Sequence, residues 1–328
     1  MKYLYDEYFR NVLLTYISDT KKQIQLHLRN IPILTTNNTN ITSPNNRINN
    51  TNILNTIHSL YISHCDTLID TNDLYGILNI NISNCSKLID LNGLRSASHV
   101  VICECDALEN ISILNLKDAT SVELTHCCNI TNISDLGNGN IQTLIINDLP
   151  IINVNNLGNI PYLSITYCED IIDVSGLGGG IFLDLGGCKG IENVDSLGKL
   201  HHLCLSYCDG IVDISALGNV HTLDLSYCPY IEDFSALHSV YNLNLSNCEL
   251  LTNMELKTLS NVHNLNISEC DLINNISALI NVYSLDVSYL SITDISNLNH
   301  VHVLNISGCK YINDNTNVLQ HIPYVIND

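Results

Sequence analysis

Val-His-Thr-Leu-Asp-Leu-Ser-Tyr-Cys-Pro-Tyr-Ile-Glu-Asp-Phe-Ser-Ala-Leu-His-Ser, residues 220–239, follows a near copy of itself, Leu-His-His-Leu-Cys-Leu-Ser-Tyr-Cys-Asp-Gly-Ile-Val-Asp-Ile-Ser-Ala-Leu-Gly-Asn, over residues 200–219. Working outward, the Leu-x-Leu-x-x-Cys pattern closes on Cys65, Cys85, Cys105, Cys127, Cys168, Cys188, Cys208, Cys228, Cys248, Cys270 and Cys309. The spacing is 20 residues where the run is unbroken and 22 between Cys105 and Cys127 and between Cys248 and Cys270. Leu149 and Leu290 stand where the missing cysteines would fall, which gives thirteen copies from about Ile57 to the end. A fixed period of this length means a solenoid in which each unit buries its apolar side only against its neighbours.

Eight residues before each cysteine position comes an apolar residue such as Ile160, Leu200, Val220 or Val240, and three after it another, such as Ile171, Ile191, Ile211 or Ile231. The alternating Leu-x-Leu predicts a short strand, because side chains two apart share a face. The segment after the cysteine (Asp173–Gly178, Asp213–Gly218, Asp233–Leu237) carries Asp and Ser, which favour turns and caps. With about a dozen residues to reach the next strand, it predicts a tight turn or one turn of 3₁₀-helix rather than a long helix.

These residues resemble the leucine-rich-repeat family, whose unit is L-x-x-L-x-L-x-x-N/C-x-L followed by a convex return. The resemblance covers roughly Ile57–Asp328. Cysteine at the N/C position looks like the cysteine-containing subclass, although the repeats here are shorter than is usual there. The Asp-Ile-Ser-Ala-Leu turns look like those of bacterial internalin-type and phosphatase-regulator proteins. The resemblance implies a right-handed α/β repeat solenoid, a horseshoe with a parallel sheet on its concave face and short turns or 3₁₀ segments on its convex face. It also implies that each cysteine side chain bonds to backbone groups of the adjacent turn.

The 14 cysteines invite disulfide or metal readings. Equivalent cysteines of a parallel sheet point the same way, inward, and read as a reduced packing ladder. No signal peptide or long apolar run accompanies them, so the expected location is a reducing one, the cytoplasm, with no membrane contact. Sequons such as Asn81-Ile82-Ser83 and Asn266-Ile267-Ser268 fall within strands, which argues against glycosylation. Cys103, Cys105, His126, Cys127 and Cys128 include enough thiolate and imidazole for zinc, but no C-x-x-C pair occurs and two of these thiols belong to the ladder. No cofactor is expected. Gly176–Gly180 lies in register with Ala216–Val220 and is a repeat turn of small residues, not a phosphate loop. With no nucleophile elbow, Walker loop or H-E-x-x-H, an enzyme is not expected.

The formal net charge is −20. Before Ile57 six basic residues outnumber three acidic ones, leaving −23 on the repeats. Such a field repels nucleic acid and anionic membrane and favours a protein partner with a basic surface; solubility of an extended surface is the competing explanation. In each strand the residues beside the leucines point outward. One row holds Ser164, Asp184, Cys204, Asp224, Asn244, Asn266 and Asp286, and another Tyr167, Gly187, Tyr207, Tyr227, Asn247, Glu269 and Tyr289, with a row of small hydroxyls between them. Adding the residues at the strand starts, the contact surface is expected at Tyr162, Tyr167, Phe182, Asp184, His202, Tyr207, Asp224 and Tyr227, against the alternative that Ser-Tyr-Cys recurs only by duplication. On this reading Asp224→Ala weakens binding without altering melting, whereas Leu225→Asp unfolds several repeats.

Residues 1–33 place Leu4, Tyr8, Phe9, Val12, Leu13, Tyr16 and Ile17 at helical spacing, and residues 34–56 read as an Asn/Thr-rich linker. The helical part is expected to be a small α-helical cap on the first repeat. Alternatively, Tyr5-Asp6-Glu7 followed by Val12–Asp19 is similar to an F-box, although the proline and the closing tryptophan of that motif are absent. The F-box resemblance implies a substrate receptor that recruits a ligase adaptor of a cullin-type ubiquitin ligase. The short turns imply, in turn, a phosphatase-regulator-like scaffold. The Asn- and Ile-heavy usage resembles AT-rich coding, and such repeat proteins are typical of amoeba-infecting giant viruses and social amoebae.

Overall fold

A computed structural model describes residues 58–312 and 316–327. The expected cap or F-box-like segment (1–33) and linker (34–56) lie outside the described residues. Fourteen parallel strands form one sheet in chain order. They are β1 (Ser59–Ser63), β2 (Asn79–Ser83), β3 (His99–Cys103), β4 (Ser121–Thr125), β5 (Thr143–Asn147), β6 (Tyr162–Thr166) and β7 (Phe182–Asp184), followed by β8 (His202–Cys204), β9 (Thr222–Asp224), β10 (Asn242–Asn244), β11 (Asn264–Asn266), β12 (Ser284–Asp286), β13 (Val303–Asn305) and β14 (Tyr324–Ile326). Residues one period apart pair directly, Leu203 with Leu223 and Leu223 with Leu243. The thirteen cysteine-registered copies account for β1 to β13. β14 continues the ladder beyond them, Leu304 pairing with Val325.

One repeat shows why stacking is obligatory. Leu223, Leu225, Cys228, Ile231, Phe234, Leu237 and Val240 are all buried, and they join a single hydrophobic core that runs through the described repeats. At roughly 1.5–3 kcal/mol for each large aliphatic or aromatic side chain removed from water, that burial stabilises the unit only when a neighbour covers it. The return segments are nine short 3₁₀ stretches among the described residues, such as Ser215–Asn219 and Ser235–Ser239. Seven of them follow an Asx turn, as where Asp213 Oδ1 accepts the Ser215 N–H at 2.9 Å and Asp233 Oδ1 the Ser235 N–H at 2.8 Å, and the other two follow hydroxyl turns at Ser112 and Thr252. The Gly-rich turn has a packing reason. A Cβ on Gly158 would stand 1.7 Å from the Gly176 carbonyl oxygen, so the backbones of adjacent turns touch where a side chain would otherwise lie.

The strands shorten from five residues to three at β7. From there the fourth residue before the cysteine is Asp or Asn in every copy but one, Cys204. Asp224 Oδ1 accepts the Ser226 N–H at 2.8 Å, and Asn244, Asn266, Asp286 and Asn305 repeat the bond to Ser246, Ser268, Ser288 and Ser307. Thr222 N–H bonds to the His201 carbonyl, so by the alternation of a parallel ladder Ser226 N–H would have gone to that of Leu205. The freed Leu205 carbonyl accepts instead the Cys208 N–H at 3.3 Å and the Cys228 thiol at 3.1 Å. The same long-range thiol bond joins Cys208 to Leu185, Cys248 to Leu225 and Cys270 to Leu245. In the longer strands the thiol turns to its own chain, Cys85 to the Ser83 carbonyl and Cys168 to that of Thr166. Asx bond and long-range thiol bond thus occur together in most of the short strands, although Cys208 reaches Leu185 from the strand that carries Cys204 in place of an Asx residue.

Candidate interaction surface

The expected surface residues lie on the solvent-facing side of β6 to β9 and at its two rims, but not all are exposed. Phe182 is 3 % and Asp224 8 % exposed, which corrects their assignment as contact residues. Flanking strands cover them from both sides. Asp224 is spent on structure, accepting from Ser226 N–H and hydroxyl and, at 3.0 Å, from the Asn244 amide one strand on. Tyr162, Asp184, His202 and Tyr227 are half-buried. Burial pushes the Asp184 carboxyl up, opposed by the hydrogen bond from Gly186 N–H.

Tyr167 and Tyr207 are 57 % and 41 % exposed, and Tyr289, in the same register, 64 %. Each occupies left-handed backbone, with φ of 56°, 58° and 64°, as do Tyr227 and the equivalent residue of every cysteine-registered repeat. That conformation costs a non-glycine residue about 1–2 kcal/mol. It persists because it turns the following residue into the core and because its N–H reaches the next repeat, Tyr207 to the Ser226 carbonyl at 2.9 Å. The rings are seated along the solenoid. Tyr207 and Tyr227 stack with centroids 4.2 Å apart, and Tyr167 lies over Gly187, where a Cβ would come within 2.7 Å of the ring. Exposed carboxylates follow in the turns, Glu169 and Asp170 after Cys168 and Glu249, Glu269 and Asp271 in the later repeats. Lys189 pairs with Glu169 at 3.1 Å and His126 with Asp148 at 3.0 Å.

The opposite rim carries a feature that the reading of Leu-x-Leu and cysteine alone had passed over. His201, His221, Tyr241, His263, Tyr283 and His302 form one continuous column, with successive stacked centroids 4.4 to 4.9 Å apart, and Tyr324 meets its end edge-on at 5.5 Å. The signal was present in the sequence: position seven before the cysteine is His or Tyr in each of these copies. Parallel pairing in register sets identical positions close to the 4.8 Å strand spacing, which suits stacked rings.

All fourteen cysteines are unpaired. Among the described residues no group of three or more His, Cys, Asp or Glu is placed to hold a metal, and no helix is long and apolar enough to cross a membrane. Cys105 and Cys127, two of the residues considered for zinc, are buried in the ladder, whereas Cys103 is half-buried and Cys128 exposed.

No family model matches the sequence, and no curated protein matches it. Solved structures do. An internalin (inlF) from Listeria monocytogenes superposes over 80 % of this chain and 87 % of its own, at 18 % identity and a TM-score of 0.51. The functional domain of InlJ from Listeria monocytogenes, which includes a cysteine ladder, superposes over 83 % of this chain and 68 % of its own, at 19 % identity and a TM-score of 0.53. The described chain is thus a leucine-rich-repeat solenoid with a parallel sheet on one face and short 3₁₀ turns on the other.

Proposed function

We propose that this solenoid is a non-enzymatic protein-interaction module that takes a basic partner surface on the face bearing β6 to β9. The observation that carries the reading is the tyrosine rim. Tyr167 and Tyr207 project from pinned, left-handed backbone, so little conformational freedom is lost when a partner covers them, and the exposed Glu169 and Asp170 follow Tyr167 within three residues. Half-buried Tyr162, Asp184, His202 and Tyr227 complete the surface, with Phe182 and Asp224 supporting it from beneath. Fourteen unpaired thiols suit a reducing compartment such as the cytoplasm.

The test is co-purification from a eukaryotic cell with the full chain and with Tyr167→Ala/Tyr207→Ala, circular dichroism confirming that both are folded. Loss of the partner only from the double variant supports the reading; equal recovery overturns it. A chain beginning at Asn52 tests the receptor reading suggested by Val12–Asp19: a ligase adaptor and cullin recovered with the full chain alone make the protein an F-box-type receptor. The Asp-Ile-Ser-Ala-Leu turns that prompted a scaffold reading are explained structurally by their Asx bonds.

A further inference from the structure

The stacked column is not uniform. His263 lies between Tyr241 and Tyr283 (4.4 and 4.7 Å), and His302 between Tyr283 and Tyr324 (4.7 and 5.5 Å). At the other end three imidazoles gather, with His201 4.4 Å from His202 and 4.5 Å from His221, and His202 6.4 Å from His221. An imidazolium is attracted by a phenol ring but repelled by another imidazolium at this range. We propose that His201, His202 and His221 form an acid-sensitive joint at which the β8–β9 interface opens, while the tyrosine-flanked strands beyond it stay closed.

Within the cluster the imidazoles face one another, and only the outer face of His221 meets a phenol ring. The His202 ring faces Phe182 at 6.5 Å, and His221 Nδ1 lies 3.2 Å from the Thr222 hydroxyl and stacks its outer face on Tyr241. The carboxylates in the neighbouring register, Asp184 on β7 and Asp224 on β9, stand two residues further along their strands and are engaged by Gly186 and Ser226 N–H. Burial, with His201 and His221 adding to it, holds His202 down at about 4, and burial followed by His201 lowers His221. The interface is closed by Thr222 N–H to the His201 carbonyl, Leu205 N–H to that of Asp224 and Tyr207 N–H to that of Ser226. Each repeat touches only its neighbours, so one such junction can open locally.

Because the open state takes up protons that the closed state refuses, acid favours opening. Lowering the pH from 7 to 5 would raise the opening constant at this junction about 20-fold if His202 acted at its full shift, and about tenfold allowing for its half-exposure. Hydrogen–deuterium exchange of the full chain at the two pH values, corrected for intrinsic rates, reads this directly and needs no partner. The expected result is a roughly tenfold loss of protection at β8 and β9 with β11 to β13 unchanged. His221→Tyr, which continues the ring column without the proton, and His202→Thr, which installs the residue β9 carries in that register, should each reduce the loss. Equal protection at both pH values, a uniform loss along the solenoid, or an undiminished response in both variants overturns the proposal.

Discussion

Asp224 illustrates how much a single side chain contributes here. Its carboxylate accepts three hydrogen bonds in a buried setting, so Asp224→Ala leaves Ser226 and Asn244 groups unsatisfied and should cost about 1–3 kcal/mol in urea denaturation. Asp224→Asn should cost less, because an amide oxygen can keep the Ser226 bonds as Asn244 does one repeat later, although the acceptor for the Asn244 amide is lost. Equal losses in the two variants would show that the charge and the inter-strand acceptor, rather than the Ser226 bonds, carry the effect. Gly187 is constrained differently: its φ is +77° and the Tyr167 ring covers it, so Gly187→Ala meets both backbone strain and a clash. The expected loss is about 1–3 kcal/mol.

At the scale of the element, strand and turn are linked through the thiol. Burial pushes Cys228 and Cys188 up to about 12 and Cys168 to about 11, so these thiols are neutral donors to carbonyls at neutral pH. Timed alkylation of the native protein followed by peptide mass mapping should therefore label Cys128, which is exposed, well before any buried ladder cysteine. Early modification of Cys208 or Cys228 would mean that the repeats open far more readily than the packing implies. Strand length follows this position in most copies: the strands are short from Asp184 onward, Cys204 included, and run on where Tyr61, Asn81, Val101, Glu123, Ile145 or Ser164 stands there. Asn81 shows that residue type alone does not decide the outcome.

For the whole molecule, stability is a sum of units and nearest-neighbour interfaces. Leu225→Asp places a charge in a core position shared by two interfaces, and should remove several repeats' worth of cooperative unfolding, seen as a reduced denaturant slope. Acid acts more broadly. His99, His202 and His221 are all lowered, chiefly by burial, so the unfolded chain binds more protons below about pH 6.5 and stability falls as pH drops toward about 4, the His202 value. Asp173, Asp213 and Asp294 are held low by the N–H of the serine two residues on, and Asp233 by Ser235 through its side chain and then its N–H. Their contribution is present above the ordinary carboxylate value of 3.8 and is lost as pH falls through the folded values. Asp184, raised by burial, works in the opposite sense. Thermal melts from pH 7 to 3 should fall throughout; a midpoint that rises below pH 6 would refute the assignment.

The repeat, its inward apolar ladder, the parallel register and the short return were all legible in the chain, because a fixed period repeats the same burial problem and in-register stacking is its solution. Register alone aligns Asp184, Cys204, Asp224 and Asn244 into one row across the sheet. What the sequence did not disclose was the environment within each row. Asp224 and Tyr207 both read as outward polar contacts, yet flanking strands and an Asx bond enclose Asp224, while left-handed backbone lifts Tyr207 to the rim. The column from His201 to His302 likewise needed three dimensions, since residues twenty or so apart become stacked partners only when the strands align at sheet spacing.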